Sequence, residues 1–318
     1  MLEAEMTMKV VYTKGDDELA RVFVMALDDG TKIELVESIQ PPLSRKEKWV
    51  LIVSTLKGCP VGCPICDAGG TYGGKLSKEE LLDQIEFLIT RRYPDGYVPV
   101  PKLKIQFARM GDPAFNTAVL DALEDLPVRF HLPGLIPCIS TVAPRGRDPF
   151  FERLLRIKQD TYPGGRFQMQ FSVHTTDEQA RKILVPTKTW SLSEMAAYGD
   201  RFFAPGDRKI TLNFAAAKGL PLVPEELAPL FSPDNFLIKL TPINPTLAAR
   251  RSGIQGLLDP GDDETCQTVT DRFRALGYDT ILSIGELKEN EIGSNCGMYV
   301  AEQPSAKRPS DQAVMLTS

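Results

Sequence analysis

The stretch Cys59-Pro60-Val61-Gly62-Cys63-Pro64-Ile65-Cys66 places three of the chain's six cysteines within eight residues, spaced C-x₃-C-x₂-C. Pro60, Gly62 and Pro64 break both helix and strand, so the stretch reads as a loop. A loop that gathers three thiols points to a metal centre, and three is one ligand short of the usual four. The plainer reading, three structural thiols, fits a core strand better than a tight loop.

Outward from this loop the chain repeats one unit. Trp49–Ser54 is a short apolar strand before it. Ser77–Arg92 is a helix after it, with a capping box at Ser77 and Glu80 and one apolar face of Leu81, Leu82, Ile85, Leu88 and Ile89. Strands are predicted at Leu103–Ala108, Leu135–Ser140, Phe167–Val173, Lys209–Phe214 and Asn235–Leu240. Helices are predicted between them at Ala114–Leu126, Pro149–Lys158, Asp177–Leu184 with Ser191–Phe203, and Pro224–Phe231. A helix at Asp263–Leu276 and a strand at Asp279–Ile284 complete the pattern. Alternating strands and helices argue an α/β fold with a parallel sheet and right-handed crossovers, closed or partly closed into a barrel.

The strands themselves alternate. Ile105 and Phe107 interleave with Lys104 and Gln106, and Met169, Phe171 and Val173 with Gln168, Gln170, Ser172 and His174. Ile210, Leu212 and Phe214 interleave with Thr211 and Asn213. Buried parallel strands usually read as continuous apolar runs, and a closed barrel fills its lumen with Val, Ile and Leu. A period of two puts the polar residues on one face. With helices over the apolar face, the polar face lines an open, partial barrel that holds a polar ligand; an antiparallel sheet with a wet face is the alternative. Polar or Gly/Pro stretches follow the strand ends: the cysteine loop, Met110-Gly111-Asp112-Pro113, Ile139-Ser140-Thr141, Ser172-Val173-His174 and Thr241-Pro242-Ile243-Asn244-Pro245. Parallel α/β folds bind ligands at this rim.

Composition excludes several classes. At 318 residues, with 42% apolar and 25% charged residues, the chain can bury a full core and is no low-complexity or fibrous sequence. No apolar run approaches membrane-spanning length, and the start, Met1-Leu2-Glu3-Ala4-Glu5, is acidic rather than a basic signal region. A cytoplasmic protein with no membrane partner is expected, and reduced thiols suit that compartment. The net charge of −5 and the short basic clusters Arg45-Lys46-Glu47-Lys48 and Arg91-Arg92 advertise no phosphate backbone as partner. Met8–Thr13, Leu19–Leu27 and Thr31–Glu37 read as strands, with a hairpin turn at Asp28-Asp29-Gly30. Three parts follow: a β-hairpin extension over residues 1–45, the barrel over 46–288, and a C-terminal segment over 289–318 whose tail after Ala301 is expected to fray.

For the metal, structural zinc wants four tetrahedral ligands and usually paired CxxC knuckles. No second pair exists here, and the only histidines are His131 and His174. Iron–sulfur clusters want thiolates, commonly four. Three cysteines would hold a [4Fe–4S] cluster with one iron open to an outside ligand; zinc is the alternative.

A C-x₃-C-x₂-C loop after the first strand of a partial α/β barrel resembles the radical S-adenosylmethionine (AdoMet, SAM) enzymes. The resemblance implies a [4Fe–4S] cluster on Cys59, Cys63 and Cys66 whose open iron chelates the methionine part of AdoMet, and a partial (β/α)6 radical SAM barrel. Met110-Gly111-Asp112-Pro113 looks like the motif that meets the methionine amine. Ile65 departs from the aromatic residue common before the last cysteine. Phe107-Ala108-Arg109-Met110-Gly111-Asp112-Pro113 with Asn116, then Ser140-Thr141, Ser172-Val173-His174, Pro242-Ile243-Asn244-Pro245 and Asn295-Cys296-Gly297 follow in one order. That order resembles the RNA adenine carbon-2 and carbon-8 methylating enzymes, RlmN and Cfr, roughly from Asp29 to Met298. It implies AdoMet contacts at Gly111, Asp112, Ser140, Ser172, Val173, His174 and Asn244. It also implies a methyl group carried on Cys296 to an sp² carbon, and Glu34 as proton acceptor.

Two departures accompany the resemblance. That family has a resolving cysteine seven residues before the first cluster ligand, where this chain has Ile52. Cys138 shares strand parity with Ser140 and could face inward, but a core thiol is the simpler reading; Cys266 reads as incidental. The family's N-terminal RNA-handling helical domain has no counterpart in this sequence, which leaves the substrate open among RNA, a small molecule and a peptide. The expected activity is radical AdoMet methyl transfer, with an electron donor such as flavodoxin or ferredoxin as partner. The alternatives are non-methylating radical chemistry with Cys296 as hydrogen donor or adduct site, and a non-catalytic iron–sulfur sensor.

Overall fold

The structure is a computed structural model that describes residues 7–259, 261–283, 287–294 and 299–300. It opens with three antiparallel strands, β1 (Met8–Gly15), β2 (Ala20–Leu27) and β3 (Lys32–Ser38), then β4 (Trp49–Val53) and the short pair β5 (Leu56–Gly58) and β6 (Tyr72–Lys75). Helix α1 (Lys78–Thr90) leads to β7 (Leu103–Phe107), α2 (Ala118–Arg129), β8 (Leu135–Thr141), α3 (Asp148–Thr161) and β9 (Gln168–Ser172). Then come α4 (Glu178–Leu184), α5 (Leu192–Phe202), β10 (Ile210–Ala215), α6 (Pro224–Leu227) and β11 (Phe236–Thr241). The last elements are α7 (Leu247–Ser252), α8 (Asp263–Ala275), β12 (Thr280–Leu282) and α9 (Leu287–Ile292).

One ten-stranded sheet carries the molecule, in the order β1-β2-β3-β4-β7-β8-β9-β10-β11-β12. From β4 to β12 every neighbouring pair is parallel. The two sheet edges, β1 and β12, do not pair with each other, so the barrel is open among the described residues. The N-terminal strands are continuous with it: Val36 on β3 lies opposite Ile52 on β4. The alternation read from the sequence appears as burial, with Leu103, Ile105 and Phe107 buried and Lys104 and Gln106 half-buried. The apolar side packs under the helices in one core with Trp49, Phe107, Phe171, Phe214 and Leu240.

Local chemistry sets the element ends. Ser77 and Glu80 form the capping box of α1, and Ser191 and Glu194 form that of α5. The helix expected from Ala114 starts at Ala118, because Asp112 caps a 3-10 turn at Pro113–Phe115 and the Asn116 side chain takes the Ala118 N–H. The helix expected to reach Phe231 is the single turn α6, because Pro229 has no N–H to continue it. Among the described residues no helix is long and apolar enough to cross a membrane.

Candidate functional site

The β5–β6 pair, unforeseen in the sequence, is the base on which the cysteine loop stands. Gly58 lies opposite Tyr72, Cys59 N–H donates to Thr71 O at 3.1 Å, and Cys66 N–H donates to Cys63 O at 3.1 Å. The far side of the loop is held by α7: Thr246 Oγ1 donates to Ile65 O at 2.9 Å, and Asp67 accepts the Leu247 and Ala248 N–H groups. Asn116 ties the base to the next strand, donating to Thr55 O and Leu76 O at 2.9 and 2.8 Å.

All three sulfur-bearing residues line a cavity of about 1130 Å³ enclosed by the concave face of the sheet. Gly111, Asp112, Ser140, Ser172, His174 and Asn244 line the same cavity. Val173 is buried behind that wall, with its N–H bonded to Asn213 O. Burial pushes the Cys59 thiol up, and the Asp112 charge adds to this; N–H groups of Val61, Asp112 and Gly62 at the sulfur pull the other way. Asp112 is sealed in and raised to about 6 by burial, against the pull of its donors Val142 N–H at 2.7 Å, Ala114 N–H at 2.9 Å and the Thr141 hydroxyl at 2.8 Å.

Gly111 has φ +90°, and a Cβ there would stand 2.5 Å from the Leu56 side chain. Gly111→Ala is expected to cost about 2–4 kcal/mol, from left-handed backbone plus overpacking. Gly62, at φ +71° with open space around its Cβ position, should lose only about 1–2 kcal/mol on the same change. Urea midpoints of the two variants check this; equal losses would remove Leu56 from the explanation.

His174 also has positive φ, +70°, and its Nδ1 accepts the Ala215 N–H at 3.0 Å. The ring is therefore neutral with its proton on Nε2. Burial, helped by the Arg181 charge, lowers its pKa to about 3. Between about pH 6.5 and 3 the unfolded chain binds a proton here that the native state refuses. Stability is thus lost as pH falls through that window, by up to a few kcal/mol. Asn tolerates positive φ and keeps an acceptor, so His174→Asn should show a shallower loss between pH 6.5 and 4 in denaturation titrations. Parallel slopes would refute the neutral buried imidazole.

Arg181 on α4 carries no mark in the sequence. Its buried guanidinium donates to Ser172 O at 2.8 Å, Val142 O at 2.9 Å, Val173 O at 3.1 Å and Thr189 Oγ1 at 2.5 Å, tying the ends of β8 and β9 into one rim. A helical arginine reads as solvated, and no local pattern marks it otherwise.

Glu34 does not line the cavity. Strand parity puts it on the concave face with Val36, but the C-terminal segment covers it. Its carboxylate accepts from Arg109 Nη2 at 2.5 Å, Tyr299 N–H at 2.8 Å and Val300 N–H at 2.7 Å. Arg109 also donates to Gly293 O and Ser294 O at 2.8 and 2.7 Å. Cys296 lies outside the described residues, as does the tail expected to fray; Ser294 lines the cavity. Ile52 lines the cavity as well. Cys138 is buried on β8, opposite Gln106 and Gln168, and Cys266 is buried in the main core.

No protein-family profile matches the chain. Over most of its length it is similar to proteins named probable dual-specificity RNA methyltransferase RlmN. The one from Parafrankia sp. (strain EAN1pec) is 28% identical, covering 88% of this chain and 71% of the relative. One from Thermus thermophilus is 25% identical, covering 89% and 74%. Among solved structures, a radical SAM methyltransferase from Sphaerobacter thermophilus matches with a TM-score of 0.70 at 22% identity, covering 92% of this chain and 81% of that one. The fold is the partial radical SAM barrel expected from the sequence.

Proposed function

We propose that the chain is a radical AdoMet enzyme of the methyl-transferring type. A [4Fe–4S] cluster is held by Cys59, Cys63 and Cys66, and AdoMet by Gly111, Asp112, Ser140, Ser172, Val173, His174 and Asn244. One observation carries the reading: the three cysteines and six of these seven residues line a single cavity at the C-terminal ends of parallel strands. The similarity to RNA methyltransferases supports the same class of reaction.

The donor set fits the cluster. Among the described residues, no three His, Cys, Asp or Glu side chains converge as the ligands of one ion would. Each thiolate of a cuboidal cluster binds its own iron, so three cysteines on a shared wall suffice. When bound and reduced, by a donor such as flavodoxin or ferredoxin, the cluster supplies the electron for cleaving AdoMet. The protein's share is positioning. The backbone N–H groups at Cys59 stabilise a thiolate there. Val61, Val142 and Ile243 line the cavity around the loop and exclude water. His174 presents only an Nε2 donor, since Ala215 occupies Nδ1. Asn213 lines the cavity with its Oδ1 buried and no partner among the described residues, ready to accept from a ligand N–H or O–H.

Cys296 would carry the methyl group to an sp² carbon. Glu34 would accept a proton only after release from Arg109; as held, it anchors the segment that leads to Cys296. Ile52 at the cavity wall favours a second reading, in which Cys296 serves as hydrogen donor or adduct site without methyl transfer. Among the described residues no cysteine besides the three of the loop lines the cavity to resolve an adduct.

The test is anaerobic reconstitution with iron and sulfide, reduction, addition of AdoMet, and mass analysis of nucleoside products and the Cys296 peptide. S-methyl-Cys296 with S-adenosylhomocysteine supports methyl transfer. Deoxyadenosine without Cys296 methylation supports the second reading. Absence of both cluster absorbance and AdoMet cleavage would sink both.

A further inference from the structure

The rim uses one end of the lumen, and the other end has a different chemistry. Lys48 lies just before β4, Lys102 just before β7 and Lys104 within it, Arg208 and Lys209 just before β10, and Lys239 on β11. All six line the cavity. Strand parity aims them there: Lys104 shares its face with Gln106, and Lys239 lies opposite Asn213. Lys104 and Lys102 lie three and five positions before the end of β7, roughly 10 and 17 Å below the rim at about 3.3 Å per residue.

These cations are poorly compensated. Lys209 pairs with Asp279 at 2.6 Å, Lys48 donates to the neutral Gln40, and Arg208 donates to Gly165 O at 2.8 Å. Among the described residues Lys48, Lys102, Lys104, Arg208 and Lys239 have no carboxylate ion pair, though Glu289 acts on Lys239 from a distance. Burial lowers Lys48 to about 8, and repulsion from Lys104, Lys102, Arg208 and Lys239 adds to it. Burial and the Lys104 charge lower Lys239 as well. Several cations elsewhere are neutralised, in pairs such as Arg145–Glu194, Arg153–Glu124, Arg201–Glu152 and the enclosed Lys158–Asp207. A concentration of like charge inside a cavity, in a chain of net charge −5, is costly unless an anion enters.

We propose that the floor of the lumen, formed by Lys48, Lys102, Lys104, Arg208 and Lys239, is an anion site that takes the phosphate or diphosphate group of a small substrate. This rests on the radical reading for the role of the rim, where the reacting end of that substrate would lie. A small molecule fits better than a polynucleotide, because these cations line the inside of the lumen rather than a groove on the exterior. Of the five, only Lys102 and Arg208 are exposed, at the outer edge of that floor, where they would attract an anion toward the buried cations.

Inorganic pyrophosphate is the probe, titrated calorimetrically into the reconstituted full chain with AdoMet present. One site is expected, with Lys104→Gln and Lys239→Gln each weakening it tenfold or more and Lys182→Gln, on the outer helix α4, leaving it unchanged. Lys102→Gln, at an exposed position, leaves the core packing untouched and should weaken binding several-fold even if the other two variants misfold. Equal affinity for all folded variants would overturn the site. So would a 12-nucleotide single-stranded RNA that displaces pyrophosphate and binds more tightly, with a steep salt dependence. AdoMet cleavage is scored separately: pyrophosphate binding without cleavage removes the radical reading and keeps the anion site, and cleavage without pyrophosphate binding does the reverse.

Discussion

Cys63→Ala is expected to reduce AdoMet cleavage to background while leaving the fold nearly as stable as before. The side chain is only partly buried, on a loop whose backbone is held by β5–β6 on one side and by Thr246 and Asp67 on the other. Little packing is lost with its sulfur. The chemistry loses one of three anchors, and among the described residues no cysteine outside the loop lines the cavity to replace it. Cys266→Ala should show the opposite signature. Its sulfur is buried in the main core and donates to Asp259 O at 3.4 Å, so stability falls by about 1 kcal/mol while cleavage persists. Iron content, cleavage rate and urea midpoint measured on both variants separate the outcomes. Retained cleavage in Cys63→Ala would remove the loop from the chemistry.

The legible part of this molecule is periodic. Alternation in Lys104-Ile105-Gln106-Phe107 and in Gln168–Ser172 is a property of neighbouring residues, and it is enough to predict the polar lumen and its orientation. The rim follows for the same reason, since strand ends announce themselves through Gly, Pro and Ser. What the sequence hides is the set of contacts that hold the rim in place. Arg181 binds carbonyls at the ends of two strands, and a helical Arg–Lys pair carries no trace of that. The β5–β6 pair is three and four residues long, below the length at which alternation can be read. The cationic floor is in view only as single lysines and an arginine on or just before separate strands, each of which reads as a solvated charge. Only the parallel register brings them to one end of one cavity.

Glu34 and Arg109 show the same limit most sharply, and they predict the largest effect on stability. They lie far apart in sequence, and both side chains are 0% exposed. Removing one partner from a buried ion pair leaves an uncompensated charge and costs about 3–5 kcal/mol. Glu34→Gln and Arg109→Met are each expected to lose that much. The double variant Glu34→Leu/Arg109→Met should lose less than either single change, because no charge remains to be desolvated. It cannot restore what the pair does for the C-terminal segment. Leu offers no acceptor to the Tyr299 and Val300 N–H groups, and Met no donor to Gly293 O and Ser294 O. Stability and local protection should therefore separate: the urea midpoint recovers in the double variant, while amide exchange at Tyr299 and Val300 stays fast in all three. If the effects of the single changes simply add, the two charges are not coupled and the pair is not the anchor. If exchange slows in the double variant, Tyr12 and Lys14, which pack against the Tyr299 ring, hold the segment instead.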